Sequence, residues 1–214
     1  GGGSAQGSAA TPISSVQGGV DAVVTGGTVT IRPGNYSEGV TGVGRLGGSG
    51  PNQFGLFVTK DGITLRGVDA LGNAITSADD VAAFITATHQ SAFGAQHWIS
   101  GSDVTIEGLG FNPYSGGNNK TLEVIGDGFT LRNSVIDNRG NGTEINFYIS
   151  DFNLPNTQRV ESFTLEGNIF YGSPVAAHAD TPSAMVKVAS SVGLTTDASN
   201  RIISGNRLIG SDVE

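Results

Sequence analysis

An all-β solenoid, a coil whose successive turns each contribute strands, is the architecture this 214-residue sequence predicts. A short alternating phrase returns six times, other alternating runs fall between the copies, and glycine-rich turns separate them. The copies lie at Thr28–Arg32, Gly62–Gly67, Asp103–Gly108, Gly128–Asn133, Ser162–Gly167 and Arg201–Gly205. In the first five, apolar, threonine, apolar and charged residues alternate at period two, the pattern of a strand with one buried face. The reference positions Ile31, Leu65, Ile106, Leu131, Leu165 and Ile203 lie on average about 34 residues apart at uneven intervals. Such spacing fits coil turns joined by loops of different length.

Residues 1–12 are rich in glycine, serine and alanine and read as a flexible linker outside the fold, leaving residues 13–214 as one domain. Over 13–24 the spacing of Ile13, Val16, Val20 and Val24 predicts a short amphipathic helix, weakened by Gly18 and Gly19, whose use is to cover the open end of a sheet stack. Leu56–Val58, Leu122–Ile125 and Ile145–Ile149 add strands between the copies, so each turn carries two or three. Ala78–Ala87 is the other helical candidate, although Phe84–Thr86 also suits a strand. Pro33-Gly34, Asp61-Gly62, Gly116-Gly117, Asp127-Gly128 and Gly140–Gly142 are turn signals.

If the copies stack as rungs about 4.8 Å apart, two inward columns are apolar. One runs Val29, Ile63, Val104, Phe129, Phe163, and the other runs Ile31, Leu65, Ile106, Leu131, Leu165, Ile203. Outward stand a threonine column, Thr30, Thr64, Thr105, Thr130 and Thr164, ending at Ile202, and a charged one, Arg32, Arg66, Glu107, Arg132, Glu166 and Ser204. From Arg66 on the charges alternate in sign, which predicts a structural ladder. Asn168 and Asn206 fall in register past the strand ends and predict an asparagine ladder at an internal corner.

These phrases resemble the pectin-lyase-like right-handed parallel β-helix. The resemblance is carried by Gly26–Glu38, Lys60–Gly67, Glu166–Phe170 and Ser204–Leu208 and covers most of residues 13–210. It implies a single right-handed parallel β-helix of about six turns, of the kind found inside large secreted or surface-attached bacterial proteins. An extracellular or cell-surface location follows from the resemblance alone. A fold shared by many activities does not license a reaction.

Composition narrows the partners. Nineteen acidic against eleven basic residues give a net charge of −8, with no basic cluster to grip nucleic acid phosphates. No apolar run is long enough to span a membrane. The 34 glycines follow no collagen period, and the absence of cysteine excludes disulfides, thiol nucleophiles and thiolate metal sites. The opening residues lack a secretory signal pattern. Further domains of a parent chain and self-association through an uncapped C-terminal end, Gly210–Glu214, are expected partners.

Polysaccharide-cleaving enzymes that the resemblance brings to mind hold Ca²⁺ in a carboxylate cleft beside an Arg or Lys base, or use paired aspartates. No cofactor and no metal are expected here, and Ca²⁺ is the one ion the resemblance admits. For a lyase, hydrolase or epimerase the best residues are Arg132, Asp137, Arg139 and Asp151. The adjacent pair Asp79-Asp80 reads as a cap or solvated loop, and Asp61, Asp103 and Asp127 as turn residues. For glycan contact the candidates are Tyr114, Asn118 and Asn119 in a long polar loop, with Trp98, because aromatic faces stack on sugar rings. Tyr36, Tyr148 and Tyr171 are further aromatic candidates. His89, His97 and His178 share no zinc spacing and read as surface or loop residues. Gly42–Gly47 matches a dinucleotide fingerprint by letters but opens no helix after a strand. An ice-binding face is disfavoured because the threonine column has a charged neighbour. The leading expectation is a non-catalytic segment of a larger exported protein, acting as stalk, adhesive or glycan-contacting module.

Overall fold

The computed structural model describes residues 12–42, 52–89, 95–112, 120–139, 145–150, 160–172, 184–189 and 200–210. Among them the chain is mostly strand, arranged in three parallel sheets. The first holds Thr28–Ile31, Thr64–Gly67, Thr105–Glu107, Phe129–Arg132, Phe163–Glu166 and Arg201–Ser204, each beside the next. The second holds Gly34–Glu38, Ala83–Ala87, Gly110–Asn112, Val135–Asp137, Ile169–Tyr171 and Arg207–Ile209. Phe57–Val58, Ala95–Ile99, Lys120–Val124, Ile145–Ser150 and Ala184–Ala189 form the third. The chain passes through first, second and third sheet in rotation, and every return lays a new strand parallel to the last. One antiparallel pair, Val40–Gly42 with Asn52–Phe54, interrupts that rotation.

Strand alternation sends one set of side chains from all three sheets into a common core. The column Val29, Leu65, Ile106, Leu131 and Leu165 belongs to the first sheet. Ile85, Phe111, Ile136 and Phe170 belong to the second, and Val58, Ile99 and Val124 to the third. All pack in one cluster with Ile63, Val104, Phe129 and Phe163. The register of the first strand differs from the sequence expectation by two residues. Val29, not Ile31, lies beside Leu65, and Ile31 lies beside Gly67. A slip of two keeps Val29 and Ile31 on the core side, so apolar alternation cannot distinguish the two registers. The threonine column therefore starts at Thr28, and Thr30 rather than Arg32 stands beside Arg66.

The expected N-terminal helix is present but shorter, Val16–Ala22. The Ser15 side chain caps it by accepting from Gly18 N–H at 3.0 Å. The buried Glu38 carboxylate accepts from Val16 N–H at 2.6 Å and Gln17 N–H at 3.2 Å, opposite the positive helix end. At the other end Lys60 Nζ donates to the carbonyls of Val20 at 2.9 Å and Val23 at 2.8 Å. The Gln17 amide accepts from Phe57 N–H at 2.9 Å and donates to Phe57 O at 3.2 Å, satisfying the outermost strand of the third sheet. Val16 and Val20 are buried as expected, but Val24 is 72% exposed because the helix ends before it. The 78–87 segment resolves into a single 3-10 turn, Ala78–Asp80, followed by a strand. Ala78 packs against Val135 and Ile169, so this segment lies over the outer face of the second sheet.

The corner between first and second sheets is built on left-handed residues: Gly108, Asn133, Gly167 and Gly205, with φ of 65°, 50°, 63° and 62°. A Cβ on Gly167 would also meet Asn133 Oδ1 at 2.9 Å. Gly167→Ala is expected to lower unfolding free energy by about 1–2 kcal/mol. Urea denaturation measures this, and an unchanged midpoint would show that the corner relaxes freely.

Candidate functional site

Two outward features gather the charged residues of interest. On the first sheet Glu107 stands in register between Arg66 and Arg132. Arg132 Nη2 and Nε lie 2.5 and 2.6 Å from Glu107 Oε2, and Arg66 Nε donates to Oε1. The Glu107 side chain is only 7% exposed, whereas the side chains of Arg66 and Arg132 are 40% and 45% exposed. Burial by itself raises its pKa, but the hydrogen bonds and charges of Arg66 and Arg132 outweigh this and hold the carboxyl below its ordinary value. Glu166 follows in register beside Arg132 and is exposed. The first three charges therefore form the expected ladder. Glu107→Gln is expected to cost about 1 kcal/mol near neutral pH, a figure reduced for the exposure of both arginines. The difference from wild type should shrink as acid protonates Glu107, below the usual carboxylate range. Equal denaturation midpoints near neutrality would sink the ladder as a stabilising element.

The second feature lies at the C-terminal ends of two neighbouring strands of the second sheet, Val135–Asp137 and Ile169–Tyr171. Arg139 Nη2 meets Asp137 Oδ2 at 2.7 Å, and Nε donates to Oδ1 at 3.0 Å. The Arg139 backbone N–H also donates to Asp137 Oδ1, at 3.0 Å. The guanidinium sits 3.8 Å from the centroid of the Tyr171 ring, a cation–π contact. Burial pushes the Asp137 pKa up, yet the Arg139 hydrogen bonds and charge bring it below its ordinary value. Arg132 and Asp137 thus lie on different sheets and are engaged with different partners. Asp151, the fourth residue of that set, lies outside the described residues, as do Tyr114, Asn118 and Asn119.

Trp98 points away from the core column yet is only 2% exposed. Its ring meets Phe54 at 5.8 Å, and Phe57, Val40 and Ile125 complete the cluster, so its faces are covered by protein. Tyr171 has one face under Arg139, and the Tyr36 hydroxyl donates to Arg32 O at 2.8 Å.

Turn residues behave as their chemistry dictates. Asp61 Oδ1 accepts from Ser102 N–H at 2.8 Å, and Asp127 Oδ1 accepts from Glu161 and Ser162 N–H at 2.9 and 2.8 Å. Asp79 pairs with Arg207 at 2.5 Å on the surface. The asparagine ladder is present. Asn168 Nδ2 donates to Asn206 Oδ1 at 2.9 Å and to Leu131 O at 2.9 Å.

Histidine placement departs from expectation at one site. His89 is exposed, with Nδ1 2.9 Å from Thr88 Oγ1, and His178 lies outside the described residues. His97 is fully buried in the core rather than at the surface. Its Nδ1 accepts from Leu56 N–H at 3.0 Å, and its ring packs edge-on to Phe111 at 5.2 Å. Nε2 has no hydrogen-bond partner. Burial pushes the pKa down to about 3, so the ring is neutral at physiological pH.

Among the described residues no three His, Asp or Glu side chains are grouped to hold a metal ion. No helix there is long and apolar enough to cross a membrane. Comparison with protein-family models, curated proteins and solved structures finds no match to this chain.

Proposed function

We propose that the chain is a non-catalytic segment of a larger exported bacterial surface protein, a right-handed parallel β-helix of about six turns serving as stalk, adhesive or glycan-contacting module. The observation that carries this reading is the self-neutralised outward column, in which Glu107 is shared by Arg66 and Arg132. Among the described residues of that column, Arg66, Glu107 and Arg132 are engaged with each other, which favours a structural role for them over holding a hard cation. The rotation of the chain through three parallel sheets supports the coil, and export is inferred from the resemblance of the repeat phrases.

A panel of neutral and acidic polysaccharides, with and without Ca²⁺, tests the proposal when unsaturated products, reducing ends and binding are followed together. Binding without cleavage is expected for a glycan-contacting module, and no signal for a stalk. Cleavage of any member overturns the reading in favour of a polysaccharide lyase, hydrolase or epimerase, with Arg132, Asp137 and Arg139 as the first residues to substitute.

A further inference from the structure

Arg139 and Arg207 each pair with one carboxylate, those of Asp137 and Asp79. The group on the first sheet is different. There two guanidiniums share the single carboxylate of Glu107, which leaves one positive charge over. Exposure is divided just as unevenly, since Glu107 is buried and both arginines reach solvent. The patch therefore shows guanidinium to the solvent, in a chain whose net charge is −8.

The donors of that patch are only partly used. A guanidinium carries five N–H groups in one rigid plane. Arg132 turns its Nε and Nη2 edge toward Glu107 Oε2, and Arg66 turns its Nε toward Oε1. Neither side chain has another partner among the described residues, so the outer Nη groups of both forks keep donors for a ligand. Register fixes their placement. Arg66, Glu107 and Arg132 occupy one outward column on three successive strands, so the arginines stand on opposite sides of one carboxylate. Their Cα atoms lie about 10 Å apart by the spacing of neighbouring strands. Two long side chains can close that interval on a small group. The half-buried Thr64, Thr105 and Thr130 form the next outward column, a flank that brings hydroxyls and no carboxylate in register.

We propose that Arg66 and Arg132, held by Glu107, form a binding site for a tetrahedral oxoanion, a sulfate or phosphate group. Such an anion offers more than one pair of oxygens, so forks from opposite sides can each grip an edge. A carboxylate has a single edge to offer. Glu107 fixes both arginine side chains before the ligand arrives, which lowers the ordering cost of binding. The overall negative charge disfavours diffuse attraction of anions, so saturable binding requires a local site. This inference goes beyond the glycan reading and fails separately from it. A chain that takes up free sulfate but no member of the glycan panel keeps the oxoanion site and loses the glycan-contacting role. Glycan binding without any response to sulfate does the reverse.

The test is an NMR titration of the whole chain with sodium sulfate at constant ionic strength, read on backbone amides and arginine Nε–H signals. Expected are saturable shifts centred on Arg66, Glu107 and Arg132, the same response to inorganic phosphate, and at least about tenfold weaker binding of acetate. Arg66→Gln and Arg132→Gln should each lower sulfate affinity at least about tenfold, through lost charge-assisted hydrogen bonds. Either substitution also loosens the ladder, so Arg132→Lys is measured beside them. It keeps the charge, loses the fork and should bind about fivefold more weakly. Glu166, the next carboxylate of the column beyond Arg132, is exposed, and Glu166→Gln should tighten binding about twofold by removing a like charge. Dextran sulfate and dextran are added as competitors. Displacement by the former alone supports the site with a glycan-borne ester as its source, and displacement by neither supports it with the free ion. Shifts that grow without saturating mean an adventitious ion only and overturn the proposal. So do saturable shifts elsewhere in the chain, acetate bound as tightly as sulfate, or unchanged affinity in Arg132→Lys.

Discussion

Lowering the pH from 6.5 toward 3 is expected to remove about 1.4 kcal/mol of stability per unit through His97 alone. The folded-state pKa is about 3 and the free imidazole value is 6.5. Between the two, the unfolded chain binds a proton that the folded chain excludes, so acid favours unfolding. Above 6.5 both states are neutral at this ring and the effect vanishes; below 3 both are protonated and it levels off. Glu107 and Asp137 act in the same direction but later. Their depressed pKa values give stability that is present above the ordinary carboxylate range and lost as pH falls through the folded values. Urea midpoints followed from about pH 7.5 to 4.5 sample the His97 window ahead of the carboxylates, with about 2–3 kcal/mol lost by the lower limit. His97→Asn keeps an acceptor for Leu56 N–H and removes the titration. It should cost about 2 kcal/mol at neutral pH through lost volume and then stay nearly flat. Parallel decline of wild type and variant would show that His97 does not set the acid window.

The difference between legible and illegible parts has a physical cause in each case. Leu65, Ile106, Leu131 and Leu165 were readable as one column because period-two alternation is itself the geometry of a half-buried strand. Arg66, Glu107 and Arg132 stand at one offset in that phrase, so their pairing followed from parallel register. Asn168 and Asn206 were readable for the same reason. The two-residue shift of Val29 was not, since parity is preserved. In the run Ala95–Ile99 the polar His97 faces the core while Trp98 faces outward under Phe54 and Phe57. That burial depends on the antiparallel pair Val40–Gly42 and Asn52–Phe54, a contact set no local pattern encodes. The folding of Ala78 onto Val135 and Ile169 is likewise a tertiary event. For the site, Asp137 and Arg139 were readable as candidate residues close in sequence, but not as partners of each other. Their separation from Arg132 required the sheet topology.

Phe111→Ala is expected to give the largest loss at a single position, about 3–5 kcal/mol. Phe111 is fully buried, in register between Ile85 and Ile136, and parallel rungs on both sides hold the backbone so that the void cannot close. The void would open beside the His97 ring, 5.2 Å from the lost one. Water entering there supplies the acceptor that Nε2 now lacks and weakens the desolvation that depresses the pKa. The variant should therefore be less stable at neutral pH yet lose less stability per unit of acid than wild type. A cycle of Phe111→Ala, His97→Asn and the double variant should show a coupling of about 0.5–3 kcal/mol. Additive effects together with an unchanged acid slope would mean that Phe111 fills space without keeping His97 dry.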